Sequence, residues 1–195
     1  MINIIKVIAS SLVIVIITGC VNTQTKVTTK EEKMSTIKHT SSFTINQPIE
    51  VMFPLFSAEG EKLWIPIWDY ENIMGSTELR EDYVFLTQIA GHGEEKTIWL
   101  VKQYKPKSYF VQFYRVEPND KVAIITVECF KLAQTTTDVK VTYDYIGLSQ
   151  KGNDFIDNYS ENDHHKFIGE WETMLLEYFN PKDTDTRMKN MDLDY

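Results

Sequence analysis

The most informative segment of the chain is KFIGEWETMLLEYF, residues 166–179. Its apolar residues recur three and four positions apart, which is the spacing of one face of an α-helix. They are Phe167, Ile168, Trp171, Leu175, Tyr178 and Phe179. Asn162 or Asp163 is expected to cap the start of this helix. Because an apolar helix face must be covered by another layer, the pattern predicts a long C-terminal helix packed against a sheet.

The chain before this helix alternates between apolar runs and polar turns. The runs that have the length and composition of β-strands are residues 37–45, 68–74, 83–90, 96–104, 109–116, 122–132 and 137–146. Short turns separate most of them, and such turns connect antiparallel neighbours. Two short helices are expected after the first strand, over residues 51–56 and 57–64. The sequence thus predicts an α+β fold, with an antiparallel sheet of about seven strands curved around the final helix.

One predicted strand separates its two faces clearly. Val139, Val141, Tyr143 and Tyr145 alternate with polar residues, which is typical of a strand with one buried and one wet face. The run 109–116 carries aromatic residues at both parities, so its inner face stays undecided. We therefore expect a core between the inner face of the sheet and the C-terminal helix.

Size and charge limit the possible partners. About 140 residues lie between the predicted first strand and the end of the final helix, a usual size for one domain. The formal net charge of the chain is −8. An acidic domain without a basic patch is a poor candidate for binding nucleic acid or anionic lipid head groups by charge. We expect no nucleic-acid partner, and protein partners are not defined by the sequence.

The N-terminus has the layout of an export signal. Lys6 precedes an apolar run over residues 7–17, too short to span a bilayer, and the run ends in Thr18-Gly19-Cys20. This ending resembles the lipobox of bacterial lipoproteins, although Ile17 and Thr18 depart mildly from the commonest residues. The resemblance implies cleavage before Cys20 and attachment of fatty acyl chains such as palmitate to it. An ordinary cleaved signal and an uncleaved anchor are the alternatives.

That resemblance predicts where the protein resides. Residues 1–20 form the lipoprotein signal peptide, and the mature chain is anchored in the bacterial cell envelope on the non-cytoplasmic side through Cys20. Val21 lacks the Asp that retains lipoproteins at the inner membrane, which favours the outer membrane in a cell that has two. Residues 21–36 are polar and are expected to be a flexible tether, and residues 180–195 a disordered tail. The second cysteine, Cys129, lies in an apolar run and is expected to be a small buried side chain.

Several segments of residues 37–179 resemble a known family. They include Phe43-Thr44-Ile45, the stretch GEKLWIPIW at residues 60–68, and Val141-Thr142-Tyr143. The segments are similar to a bacterial branch of the START-like superfamily, also called SRPBCC or polyketide cyclase/lipid-transport superfamily. The resemblance implies a helix-grip fold with a cavity between sheet and C-terminal helix that accepts lipids, sterols, polyketides or other apolar molecules. It implies no universal set of catalytic residues.

Aromatic side chains are the candidates for the wall of such a cavity. They are Trp64, Trp68, Phe85, Trp99, Tyr143, Tyr145, Phe167 and Trp171. The alternative is that these rings simply fill the core. The leading hypothesis is a membrane-anchored domain that binds a small apolar or amphipathic ligand. The alternatives are a cyclase- or hydratase-like enzyme, and a structural or interaction lipoprotein with a filled core.

The sequence predicts no catalytic residues, no metal site and no cofactor. The adjacent His164 and His165 point about 100° apart on a helix and cannot share one ion. For an acid or base the nominal choices are Tyr143, Tyr145, Glu128 and Asp144. The two carboxylates are expected on wet faces of the sheet. Whether the protein is an enzyme therefore remains open at this point.

Overall fold

The computed structural model describes residues 34–68, 70–88 and 96–180 of the chain. The signal sequence, Cys20, all but the last residues of the predicted tether, the glycine-rich turn after the third strand and residues 181–195 lie outside the described residues.

The described strands form one antiparallel sheet. They are β1 (Thr36–Ile45), β2 (Tyr70–Asn72), β3 (Val84–Gln88), β4 (Lys96–Lys105), β5 (Phe110–Glu117), β6 (Lys121–Ala133) and β7 (Thr136–Gly147). Their order in the sheet is β1-β7-β6-β5-β4-β3-β2. Strands β2 to β7 follow one another as a meander, and β1 pairs along its whole length with β7, for example Phe43 with Val139.

Strand β2 is much shorter than predicted. The sequence indicated residues 68–74, but of the described residues in this range only Tyr70–Asn72 pair with β3. At its start, the indole N–H of Trp68 donates a hydrogen bond to Ala58 O (2.9 Å), which turns this residue toward the helices. At its end, the side chain of Asn72 accepts hydrogen bonds from the backbone N–H groups of Met74 and Gly75 (both 3.1 Å). Such an Asn turn competes with the ladder and ends the strand.

A 3₁₀ turn (Pro106–Ser108) connects β4 and β5, and the other described helices lie in two groups. After β1 come α1 (Ile49–Met52), a 3₁₀ turn (Phe53–Phe56) and α2 (Ala58–Glu61), and after β7 come α3 (Gln150–Asn158) and α4 (Glu161–Phe179). The second predicted short helix, residues 57–64, is thus regular only to Glu61. Ser57 caps it by accepting a hydrogen bond from the backbone N–H of Gly60 (3.0 Å).

The cap of α4 differs from the prediction. Ser160, not Asn162 or Asp163, is the N-cap residue, and its hydroxyl accepts a hydrogen bond from the backbone N–H of Asp163 (3.2 Å). The Asp163 carboxylate reaches back to the backbone N–H of Ser160 (3.1 Å). The two residues form a capping box, in which the third helical residue serves the cap instead of being the cap.

The core lies on one face of the sheet. Val139, Val141, Tyr143 and Tyr145 of β7 are all at most 4% exposed, as their alternation predicted. On β5, Val111 and Phe113 (not shown by the sequence pattern) are the inward residues. Cys129 is buried on β6 as expected, and burial raises the pKa of its thiol to about 12.

All described strands and helices lie between Thr36 and Phe179, and the apolar core is formed within this range. A chain that begins at residue 21 therefore contains every element that builds the core. Within the described part of the chain, no helix combines the length and apolar character that crossing a membrane requires. These elements confirm the predicted fold class, an antiparallel sheet packed on a long C-terminal helix.

Candidate ligand-binding cavity

A cavity of about 750 Å³ remains between the inner face of the sheet, the end of α2 and helix α4. Among the described residues, its wall is built mainly from aromatic rings: Trp68, Trp99, Tyr143, Tyr145, Phe155, Tyr159, Phe167 and Trp171. Ile65, Ile67 and Met174 add aliphatic surface. Small-molecule sites commonly have about 300–1,000 Å³ and a mostly apolar lining with a few polar groups. This cavity has the size and wall of such a site.

Strand β7 and helix α4 position four of these eight rings. Tyr143 and Tyr145 are successive inward residues of β7, so that both face the helix. Phe167, Trp171 and Met174 stand four and three positions apart on α4 and form one stripe. The ring edges meet across the gap, for example Tyr143 and Phe167 at 5.6 Å between centroids. Edge-to-face contacts at this distance are favourable and hold the rings in place.

Two of the eight predicted lining residues do not reach the wall. Trp64 packs behind it, because its indole N–H donates to Leu55 O (2.9 Å) and its ring lies against Trp171. Phe85 is 1% exposed and stacks on Trp99 at 5.4 Å, so Trp99 covers it on the side of the cavity. The other six, Trp68, Trp99, Tyr143, Tyr145, Phe167 and Trp171, line the cavity.

The indole N–H groups of the cavity wall are partly used by the protein itself. Trp68 donates to Ala58 O (2.9 Å) and Trp99 to Thr87 Oγ1 (3.0 Å). These two residues therefore offer apolar ring surface, rather than hydrogen-bond donors, to a ligand. The polar part of the wall comes from other side chains: Glu61, Thr87, Gln88, Arg115, Glu117 and Lys121.

Glu61 is one of the lining residues that the sequence pattern did not indicate, together with Phe155, Tyr159, Arg115 and Glu117. It is the last residue of α2, lines the cavity and is only 8% exposed. Among the described residues, no side chain forms a hydrogen bond or ion pair with its carboxyl group. Burial therefore raises its pKa from 4.5 to about 8, because the charged form loses water without gaining a partner.

The position of Glu61 follows from the way in which α2 packs. A Cβ atom on Gly60 would lie 2.2 Å from Pro54 O, so only glycine lets the helix lie this close to the preceding turn. Ala58, Glu61 and Trp64 then fall on one face, three positions apart, and all three are buried. This spacing was the available signal, since Glu61 occupies a position where an apolar residue would be expected.

Glu117 stands in the same cavity wall in a different environment. Arg115 Nη2 lies 2.8 Å from its Oε1, and Lys121 Nζ lies 2.7 Å from its Oε2. Asp120 extends this group through contacts with Lys121 (3.4 Å) and Lys151 (2.8 Å). Burial opposes ionisation of Asp120, but the hydrogen bond from Lys151 and the charges of both lysines outweigh it and lower its pKa. The cations of this wall are thus held by protein carboxylates.

The tyrosine hydroxyls are the remaining polar groups. Tyr143 is 3% exposed, and burial holds its pKa well above the ordinary value of 10. Within the described part of the chain its hydroxyl has no hydrogen-bond partner. The Tyr159 hydroxyl lies 3.3 Å from His164 Nδ1. The His164 side chain is wholly buried, and this burial lowers its pKa. These tyrosines are neutral hydrogen-bonding groups at neutral pH.

The other nominal acid–base and metal residues lie elsewhere. Glu128 is on the outer face of the sheet and pairs with Lys140 at 2.6 Å, and Asp144 has the same outward parity on β7. His164 points into the core while His165 is exposed. In residues 34–68, 70–88 and 96–180, no three His, Cys, Asp or Glu side chains come together in a metal-binding arrangement.

Comparison with known proteins shows similarity at the level of the fold. No protein-family model and no curated protein matches this sequence. A point mutant of norcoclaurine synthase from Thalictrum flavum, in complex with a transition-state analogue, has a TM-score of 0.57 at 8% identity, over 77% of this chain and 98% of that one. The same synthase in complex with dopamine and hydroxybenzaldehyde has a TM-score of 0.55 at 10% identity, over 86% and 98%.

A bacterial structure matches in the same way. The Mll3558 protein from Rhizobium loti has a TM-score of 0.50 at 15% identity, over 75% of this chain and 96% of that one. At such identities the likeness shows the fold alone. The chain has the helix-grip fold, as the resemblance implied.

Proposed function

We propose that this domain binds a small apolar or amphipathic organic molecule in the cavity between its sheet and helix α4. The observation that carries the proposal is the cavity of about 750 Å³, walled by eight aromatic rings among the described residues. Burying an apolar body there removes apolar surface from water, at about 25 cal/mol per Å². The few polar groups, Glu61 and Tyr143 above all, would orient the molecule.

The fold neighbours support this proposal. Norcoclaurine synthase from Thalictrum flavum, which has the same fold, has been solved with dopamine and hydroxybenzaldehyde, two small aromatic molecules. An aromatic cavity in this chain is suited to molecules of similar size. A structural lipoprotein with a filled core, by contrast, would not be expected to keep an open space of this volume.

The lipobox-like ending at Cys20 supports a location for this binding. We propose that the mature chain is lipid-anchored at Cys20 on the outer side of a bacterial membrane. Two or three acyl chains suffice for stable attachment, since each buried methylene contributes about 0.8 kcal/mol. Intact mass of protein from cells should include those chains, and a Cys20→Ala variant should lack them and leave the membrane fraction. An unmodified cysteine in the wild type would refute the anchor.

The binding proposal is tested with a neutral fluorescent probe, N-phenyl-1-naphthylamine, and the chain that begins at residue 21. The probe should bind to the wild type with a rise in fluorescence. Met174→Trp replaces an unbranched side chain of the cavity wall with a bulky indole ring. It should weaken binding about tenfold or more, because the indole occupies the space for the probe.

Leu176→Trp is the matched control. Leu176 lies two positions further along α4 and is 44% exposed, outside the cavity wall. This variant should bind the probe as the wild type does. Equal binding by wild type and Met174→Trp, or no binding by either, would contradict the proposed function.

A second candidate function is favoured by Glu61. A buried carboxyl whose pKa is about 8 keeps most of its proton at neutral pH and is half protonated near pH 8, so it is suited to general acid–base chemistry. With the Tyr143 hydroxyl in the same cavity, it would serve a cyclase- or hydratase-like reaction that gains or loses water. The wild type would then convert a ligand isolated from cells into a product that differs by the mass of one water. Glu61→Gln would bind this ligand without converting it.

A further inference from the structure

The cavity presents one carboxyl group that the protein leaves without a partner. Glu61 is 8% exposed and lines the cavity, and the described residues supply no donor to its side chain. A buried carboxylate is costly unless it is paired, and in its neutral form it still needs a hydrogen-bond partner. The missing partner is therefore expected to come from the molecule that fills the cavity.

The nearby cations are committed to other groups. Arg115 and Lys121 both contact Glu117, at 2.8 and 2.7 Å. Lys62, the next residue in the chain, lies 3.5 Å from Glu59 and over the ring of Tyr70. If one of these lysines or Arg115 formed an ion pair with Glu61, it would have to give up an existing ion pair. These cations are thus paired with carboxylates other than Glu61.

The rest of the wall favours a positive partner over a neutral one. The rings of Trp68 and Trp99 line the cavity while their N–H groups are bonded to the protein. Indole rings attract cations, and the Arg115 guanidinium already lies over the Trp99 ring at 5.6 Å. The whole chain carries a formal charge of −8, which raises the local concentration of cations rather than anions.

Resting on the proposed binding function, the geometry points to a ligand class: an organic amine, whose protonated nitrogen pairs with the Glu61 carboxylate and whose apolar body lies among the rings of Trp68, Trp99 and Trp171. Because burial holds the pKa of free Glu61 at about 8, binding at neutral pH releases the carboxyl proton to solvent. The amine retains its own proton, so that one ion pair is formed and one proton is released.

The test uses two probes with the same apolar body, 2-(2-naphthyl)ethylamine and 2-(2-naphthyl)ethanol. Both are titrated by calorimetry against the chain from residue 21, from about pH 6 to about pH 9. The amine should bind about tenfold or more tightly than the alcohol near pH 9, because a charge-assisted pair is stronger than a neutral hydrogen bond. The preference should shrink by up to about tenfold per pH unit below pH 8, where Glu61 must first lose its proton.

Other groups of the cavity do not confuse this pH dependence. Tyr143, Tyr145 and Tyr159 share the space with Glu61, and burial raises the pKa of all three above 10, beyond the tested range. The charged groups are Arg115 and Lys121, which are paired with Glu117.

Glu61→Gln should abolish the preference for the amine, so that the amine and the alcohol bind to the variant with similar affinity. Gln matches the protonated acid in shape, so the variant should fold. Glu59→Gln, which removes a charge from the same helix outside the cavity, should retain the preference. If wild type binds both probes equally, or if Glu61→Gln still prefers the amine, the inference is overturned while the binding function stands. If neither probe binds to any variant, the binding function itself fails and the inference fails with it.

Discussion

Two carboxylates of the same cavity wall, Glu117 and Glu61, differ in one respect. They are almost equally buried, at 6% and 8% exposure. Glu117 lies within 2.8 Å of both Arg115 and Lys121, whereas Glu61 has no partner among the described residues. Burial alone therefore does not distinguish them, and the presence of a counter-charge does.

The difference indicates separate roles for the two carboxylates. The Glu117 group is complete without a ligand, so its role is to hold β5, β6 and the start of α3 together. The Glu61 carboxyl lacks a partner when no ligand is bound, and a buried polar group needs a partner. The described residues supply two counter-charges to Glu117 and none to Glu61. The partner of Glu61 is therefore expected to come from a molecule outside the chain.

The largest loss of stability is expected from removing the paired carboxylate, Glu117. Glu117→Ala leaves the partly buried Arg115 without its counter-charge and leaves Lys121 with only Asp120, at 3.4 Å. Removal of one partner of a buried pair typically lowers the free energy of unfolding by about 3–5 kcal/mol. Urea unfolding of wild type and variant at neutral pH measures this loss. A change below about 1 kcal/mol would mean that the network does not hold this end together.

The unpaired Glu61 carboxyl should make the free energy of unfolding depend on pH. Glu61 has a pKa of about 8 in the folded chain against an ordinary value of 4.5, so the folded state binds more protons between these values. The stability that this proton contributes is present below pH 4.5 and is lost as pH rises to about 8. The wild type should lose about 1.4 kcal/mol per pH unit in this window relative to Glu61→Gln.

This loss amounts to about 2–3 kcal/mol between pH 5.5 and 7.5. Urea unfolding of wild type and Glu61→Gln at both pH values provides the comparison, because every other titrating group cancels between the two proteins. Parallel pH dependence of the two proteins would contradict the burial of an unpaired carboxyl at this site.

The smallest effect is expected for a pair on the outer face. Glu128 and Lys140 are separated by 2.6 Å, but their side chains are 28% and 38% exposed. Solvent screens such pairs, so Glu128→Ala should cost about 1 kcal/mol or less. The two variants remove the same side chain, Glu128 from an exposed pair and Glu117 from a buried one, so their losses of stability can be compared directly. A loss as large as that of Glu117→Ala would show that burial does not set the difference between them.

The sequence predicted the sheet and helix α4 well because each depends on local periodicity. The alternation over Val139–Tyr145 and the three-and-four spacing over Phe167–Phe179 each describe one face of one element. Strand β2 was overestimated because its ends are fixed by the side chains of Trp68 and Asn72, which bond outside the ladder. Such contacts are not visible in apolar patterning.

The site was predicted only in part for a related reason. Six of the eight aromatic candidates line the cavity, but Trp64 and Phe85 lie one layer behind, covered by Trp171 and Trp99. A sequence pattern gives the face on which a ring lies and does not give its depth. Glu61 was missed because its burial depends on the contact of Gly60 with the Pro54 backbone, a contact between neighbouring turns.

The central claim is that the cavity holds a small organic molecule, and native mass spectrometry of the protein extracted from cells tests it most directly. We predict a population that carries an additional small mass, which is lost on denaturation and is absent from the Met174→Trp variant. Wild-type protein found only at the mass of the chain with its covalent modifications, even when extracted under mild conditions, would contradict the claim.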